Sequence, residues 1–350
     1  MKKTIFAIIL ATIMLAGCSA ALPNSENRSR AYTDSLGRTV VLPEKIEKIA
    51  VTGPLTQIYV FPLCPELFVT FTTAFATNAE EYVPEEFISL PDIGQLYGGR
   101  GEMNLESLLA VAPDLVIDMG EAKAGMKEDF DRLEEMTGIP FVHIDATLTT
   151  APSAYRELGA LLGLESRSDA LALWCEDALN DIMAIMEKVD ADGERRTVLY
   201  CLGPKGLNVL ASGSYHAQVM ELVALNAAMG DTPVSLGDGN EIDGEQLLLW
   251  DPDVVLFQHD SVYNSISDSE VWEQLRAVKS DNFYEIPCGP YGWLAAPPAV
   301  QCFPGLLWLT STLYPEYVDY DLFERVAEYY ELFFNYNLTE LRFYELTGKK

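Results

Sequence analysis

Four short stretches of this sequence gather side chains able to grip a small molecule. In TGPLTQ, Thr52, Gly53 and Pro54 end an apolar run and leave backbone donors open, as a plain tight turn also would. In IGQLYGGRGEMN, three glycines let the chain curve around a guest. Tyr97, Arg100 and Met103 accompany them, and Arg100 suits a carboxylate or phosphate, or else is a solvated surface arginine. ASGSYHAQVMEL places Ser214, Tyr215 and His216 at the expected start of a helix. Free N–H groups there suit an anion, and Tyr or His can ligate iron or cobalt, while the plainer reading makes Ser214 an N-cap. His259 and Asp260 follow an apolar run, and Tyr291 and Trp293 offer flat faces to a macrocycle or catechol unless Trp293 is core.

This is chemistry of ligation and stacking. The sequence has no GxSxG, HExxH, P-loop or dinucleotide-type glycine motif, and its three histidines are scattered, so no catalytic residues are assigned. No intrinsic cofactor and no protein-held metal site are expected. The single arginine among the candidate loops argues against a highly anionic guest, whose buried carboxylates would lack partners.

The elements that must position these loops come as a repeat. NLESLLAVAPDLVIDMG (104–120) is echoed by DGEQLLLWDPDVVLFQH (243–259). In each, leucines at helical spacing run into Pro-Asp, which stops a helix, and a short β-branched run follows with the composition of a strand covered on both faces. KIAVTGP and TVLYCLGP form a second matched pair, each an apolar strand breaking at Gly-Pro, and IPFVHID matches NFYEIP after the main repeat. The expected fold is α/β, with two Rossmann-like lobes, each holding a mostly parallel sheet.

Between the lobes, Leu171, Cys175, Ala178, Leu179, Ile182, Met186 and Val189 recur at helical spacing without Gly or Pro. That predicts one interlobe helix over 166–190, about 30 Å long. The ligand cleft then lies between the lobes, at the carboxyl ends of the strands. The N-terminal lobe is placed at 32–165, and the C-terminal lobe with a terminal amphipathic helix at 191–350.

Charge and ends narrow the class further. Fifty-three acids against 23 Lys and Arg give a formal charge of −30, without the basic cluster that nucleic acid needs. Residues 1–17 carry Lys2 and Lys3, then a short apolar run, and fit an export signal. Residues 18–31 are polar enough for a tether. Cys64, Cys175, Cys201, Cys288 and Cys302 form no CxxC and are odd in number, so buried thiols are expected rather than a disulfide framework.

LAGC at Leu15–Cys18 resembles the bacterial lipoprotein box, in which the cysteine is lipidated. Together with the repeats, the YTDSLGRTVVLPEKIEKIAV opening and the GWLAAPPAVQCFPGLLWLTSTLYPE segment, the mature chain resembles the substrate-binding proteins of ABC importers for ferric siderophores, haem and cobalamin, of the helical-backbone type. The resemblance implies an extracytoplasmic, lipid-anchored, monomeric protein at the bacterial membrane. It would carry a metal chelate (iron siderophore, haem or corrinoid) to a permease and its ATPase, with small lobe rotations on binding. It also implies carboxylates that dock on permease arginines; Glu80, Glu81, Glu85 and Glu86 fall near one expected lobe tip and Glu221 near the other. The family's Gly-Gly-x-Asn turn is replaced by VALNAAMG, with Ala224 and Leu225 at the glycine positions, so no family role passes to Asn226. The alternatives are an enzyme acting on a chelate with the same scaffold, or a surface scavenger or sensor without its own permease.

Overall fold

The computed structural model describes residues 29–72, 78–97, 102–230, 239–259, 261–294 and 297–348. β1 (Ser29–Thr33) and β2 (Thr39–Pro43) form an antiparallel hairpin. Its turn buries Arg38 against Asp34, Asp131 and Glu134 at 3.2, 2.8 and 2.7 Å. Arg38 also donates to the Phe141 carbonyl at 2.8 Å, so a charge that would be costly alone is fully partnered. Residues 29–31, assigned to the tether from sequence, are therefore strand, because their backbone pairs with β2.

β3 (Ile49–Val51) leads into α1 (Pro54–Val60), with Pro54 at the first turn, where its missing N–H is not needed. Two short helices follow, α2 (Ala79–Tyr82) and α3 (Glu85–Ile88). The first repeat then folds as α4 (Leu105–Val111) and β4 (Leu115–Gly120). α5 (Met126–Thr137), β5 (Phe141–Asp145) and α6 (Ala151–Leu162) complete the lobe. β3, β4 and β5 form a parallel sheet. Leu115, Ile117 and Met119 face one core cluster and Val116 the other, which is why β4 reads as unbroken apolar sequence before Asp118.

α7 (Glu165–Asp192) is the interlobe helix, 28 residues or about 42 Å at the helical rise. It packs along α6, where the absent side chain of Gly159 makes room for Ser168; a Cβ there would lie 1.8 Å from its Oγ.

In the second lobe come β6 (Thr197–Leu202), β7 (Asn208–Val209), α8 (Gln218–Glu221) and β8 (Leu225–Asn226). β9 (Asn240–Glu241), α9 (Gly244–Trp250), β10 (Val254–Phe257), α10 (Arg276–Lys279) and β11 (Phe283–Glu285) follow. The sheet runs β11-β10-β6-β7-β9, with β8 beside β6. β6, β8, β10 and β11 are parallel, while β7 and β9 pair antiparallel.

The repeats share their caps as well as their strands. The Asn104 side chain accepts from Ser107 N–H at the start of α4, and Asp243 from Gln246 N–H at the start of α9. Each helix stops on a left-handed residue, Ala112 or Asp251, just before its proline. The Gly-Pro pairs diverge, however. Gly53 is extended and starts a helix. Gly203 is left-handed and its carbonyl accepts from Gly206 N–H at 3.0 Å, closing a turn that sends β7 back antiparallel.

α11 (Cys302–Leu313), α12 (Leu322–Phe334) and α13 (Glu340–Thr347) end the chain. The last two do not belong to the C-terminal lobe alone. Phe333 stacks edge-on against Tyr155 of α6, and Arg342 pairs with Glu81 at 2.7 Å, so they strap the first lobe to α7. α11 lies against the Trp293 backbone at Gly305, where a Cβ would fall 2.0 Å from the Trp293 carbonyl oxygen. Gly305→Ala should therefore destabilise the fold by about 3 kcal/mol, the top of the usual overpacking range, read as a lower urea midpoint.

Candidate functional site

The parallel register of the first sheet assembles a polar cluster at its carboxyl end. Asp118 of β4 sits beside His143 of β5, and His143 Nδ1 lies 2.7 Å from Asp118 Oδ2. Nε2 lies 3.2 Å from Asp145 Oδ1. The Thr52 hydroxyl donates to Asp118 Oδ1. The Thr52 carbonyl accepts from Leu96 N–H at 2.7 Å, which fastens the 93–97 loop to the β3–α1 junction. Thr56 shares the cluster, its hydroxyl receiving Met119 N–H at 2.8 Å. Of these, only Thr52 was singled out from sequence. Asp118 and His143 interrupt otherwise apolar strand runs, and that interruption was the available signal.

Beyond this end of the sheet lies an open pocket between the lobes, with a cavity volume of ≈ 70 Å³. Glu121, Thr147 and Thr149 come from the segments after β4 and β5; Tyr215, Gln218 and Pro298 face them from the other lobe. The cleft is thus at the carboxyl ends of the first lobe's strands, where open α/β sheets bind ligands. Burial, with Glu121 adding, pushes the Tyr215 phenol up to about 12, so it stays a neutral donor. His216 packs edge-on against Tyr215 at 5.3 Å between ring centres. Burial lowers its pKa, and its buried Nδ1 has no hydrogen-bond partner.

The other sequence-predicted residues are spread more widely. Thr52, Gly53 and Pro54 form the β3–α1 junction. Tyr97 donates to Asp129 at 3.3 Å under the Lys123 ammonium. Met103 is 8% exposed and packs into the core behind β4, so it is no pocket residue. Ser214 is buried and caps no helix, since α8 begins at Gln218 with Ala217 at its cap. Trp293 is 1% exposed and its indole donates to Tyr330 at 3.2 Å; the aromatic face expected for a ligand is spent in the core. Tyr291 is buried at the lobe junction and accepts from Gln57 Nε2 at 3.2 Å. His259 lies 3.4 Å from Glu285. Cys18, Arg100 and Asp260 lie outside the described residues.

Two of the acids assigned to docking are internally engaged. Glu81 holds Arg342 and Tyr336, and Glu221 accepts from Gly213 N–H and Asn226 Nδ2 at 3.1 and 3.0 Å. Asn226 is accordingly a structural residue that ties β8 to α8 and to the Leu210 carbonyl. Glu80, Glu85 and Glu86 remain exposed. The repeat supplies a further exposed pair, Glu106 and Glu245, each the second residue of its helix. Cys64, Cys175, Cys201 and Cys302 are buried and Cys288 half-buried. Burial pushes the Cys302 thiol up to about 12, so it is no thiolate.

Two α/β lobes on one long helix, with a pocket between them at the strand ends, define a solute-binding protein. The periplasmic binding protein family matches over residues 78–288, more than half of the chain, and the chain belongs to that family. Its members bind solutes outside the cytoplasm rather than transform them. No curated protein matches it by sequence. An ABC transporter solute-binding protein from Sulfurospirillum deleyianum is 25% identical, with 91% of this chain and 98% of that one covered and a TM-score of 0.83. A periplasmic solute-binding protein from Veillonella parvula is 22% identical over 92% and 97%, with a TM-score of 0.74. The molybdate-binding protein MolA of Haemophilus influenzae, solved with molybdate, is 22% identical over 89% and 99%, with a TM-score of 0.68. Among the described residues no helix is long and apolar enough to cross a membrane.

The wall beside the cleft hangs on Thr52. Thr52→Val keeps the shape but leaves a buried Asp118 oxygen without its donor, and should cost about 1–3 kcal/mol in chemical denaturation with an unchanged circular dichroism spectrum.

Proposed function

We propose that this chain is the solute-binding component of an ABC importer. On this reading it captures an iron siderophore, haem or corrinoid between its lobes and delivers it to a permease driven by an ATPase. The carrying observation is the lining of the cleft. Among its described residues Glu121 is the one charge, and the rest offer hydroxyl, amide and apolar groups. A free oxyanion would meet that carboxylate with no cation among the other described lining residues to offset it. A neutral or weakly charged chelate meets Tyr215, Thr147 and Thr149 as donors and buries its apolar rim against Val219, Leu222 and Pro298.

In the same proposal, Cys18 carries the lipid anchor, and Tyr97, Arg100, His216, His259 and Asp260 reach larger guests from the surrounding loops. Glu80, Glu85 and Glu86, with Glu106 and Glu245, are the acids free for permease docking. Solute-binding neighbours of ABC transporters support the importer reading over a free-standing scavenger or sensor, and the family supports binding over catalysis.

Calorimetric titration of full-length protein in detergent, against haemin, cobalamins, ferric siderophores and molybdate, tests the cargo. One chelate class should bind saturably and Tyr215→Ala should weaken it roughly tenfold, the loss of one half-buried aromatic donor. Binding of molybdate alone, or of no chelate, would overturn the assignment.

A further inference from the structure

His143 is wholly buried, and each of its ring nitrogens faces a carboxylate oxygen, Asp118 at 2.7 Å and Asp145 at 3.2 Å. Carboxylates only accept, so an imidazolium satisfies both sides, whereas a neutral ring donates to one and turns a bare lone pair toward the other. The two carboxylates are not equivalent. Asp118 is buried and also bound by Thr52, while the Asp145 side chain is 64% exposed and free to turn to water. Loss of the proton therefore falls on Asp145. That residue ends β5, and the next four, Ala146 to Thr149, form a wall of the cleft.

We infer that His143 is a positioning residue for the cleft, whose proton pins Asp145 at the foot of the 146–149 wall and so makes ligand capture depend on pH. The inference rests on the cleft being the ligand site. Other groups around the ring do not take over the role. From the hairpin, Ser35 N–H donates to the His143 carbonyl and Ser35 Oγ receives Asp145 N–H, both at 3.0 Å, which hold backbone and leave the Asp145 carboxylate to the imidazole. Glu157 reaches Ser35 at 3.4 Å, and the neighbouring Arg38 is committed to Asp34, Asp131 and Glu134. On the helix side Tyr97 is bound to Asp129, with Lys123 over its ring.

Burial is the largest single influence on His143 and opposes its charge. Asp118 and then Asp145 outweigh it together and hold the ring above the ordinary histidine value. With the folded value raised, the stabilisation is complete below the unfolded value of about 6.5 and is lost as pH rises through the folded one. Ligand affinity should follow the same window and fall toward alkaline pH.

The test pairs ring-nitrogen NMR with affinity measured from about pH 6 to pH 9, using full-length protein and whichever chelate of the calorimetric panel binds best. Both His143 nitrogens should carry protons at pH 7, and affinity should fall roughly threefold or more across the range. In Asp145→Asn, whose amide can donate to a neutral Nε2, the His143 titration should move down by about one unit and the affinity profile should flatten. His143→Gln should flatten it as well, which separates this ring from His216 and His259. A neutral His143 at pH 7, or a slope that survives Asp145→Asn, would overturn the inference while leaving the solute-binding reading intact. Should no chelate bind, that reading fails alone. The NMR titration, with amide protection of residues 146–149 across the same range in wild type and Asp145→Asn, still decides the positioning role, and equal protection in the two would refute it.

Discussion

The way the helices hold the lobes depends on one shared aromatic seam that joins α6, α7 and α12. Trp174 of α7 lies 5.3 Å from the ring of Tyr329 and 5.5 Å from that of Phe333, both on α12. Phe333 continues to Tyr155 of α6, and Tyr330 to Tyr82 at 5.3 Å. Arg325 covers Trp174 at 5.6 Å and pairs with Asp181 on the same helix. Such large buried rings contribute both area and preferred edge-on geometry, and they tolerate little sliding. A helix braced in this way along much of its length is a strut. The lobes it carries are suited to small rotations about the junction rather than a wide closure.

That rigidity is continuous with the polar side of the site. Gln57 joins the lobes from α1, its amide donating to Tyr291 while its carbonyl receives Thr72 N–H at 3.0 Å. One helical position away, Thr56 supports Met119, and Thr52 supports Asp118. The β3–α1 junction and the first turn of α1 together therefore touch the strand ends, the 93–97 loop and the opposite lobe.

The architecture was legible because it is written in periodicity. The paired helix-Pro-Asp-strand units and the uninterrupted face of α7 are each local patterns with one physical reading. The site was less legible because its residues meet only through sheet register and lobe packing. Asp118 and His143 stand 25 positions apart in sequence and 2.7 Å apart in space. Trp293 and Met103 read as candidate ligand contacts near glycines, with core left open for Trp293, and each is drawn inward by a core that sequence spacing does not display. Glu81 looked free among neighbouring acids because its cation, Arg342, arrives from the last helix.

The balance of charge completes the picture of what such a cleft selects. The protein carries a large acidic excess, and the carboxylates at the sheet end are compensated locally: Asp118 by Thr52 and His143, Asp145 by His143. Glu121 lines the pocket with no cation among the other described lining residues. On the proposed function, a guest held there brings its own compensation, a metal whose charge its chelating groups nearly cancel, or polar groups matched to Tyr215 and the threonines. On that same proposed function, selection then comes from shape and hydrogen bonding between the two walls, with Glu121 disfavouring strongly anionic solutes.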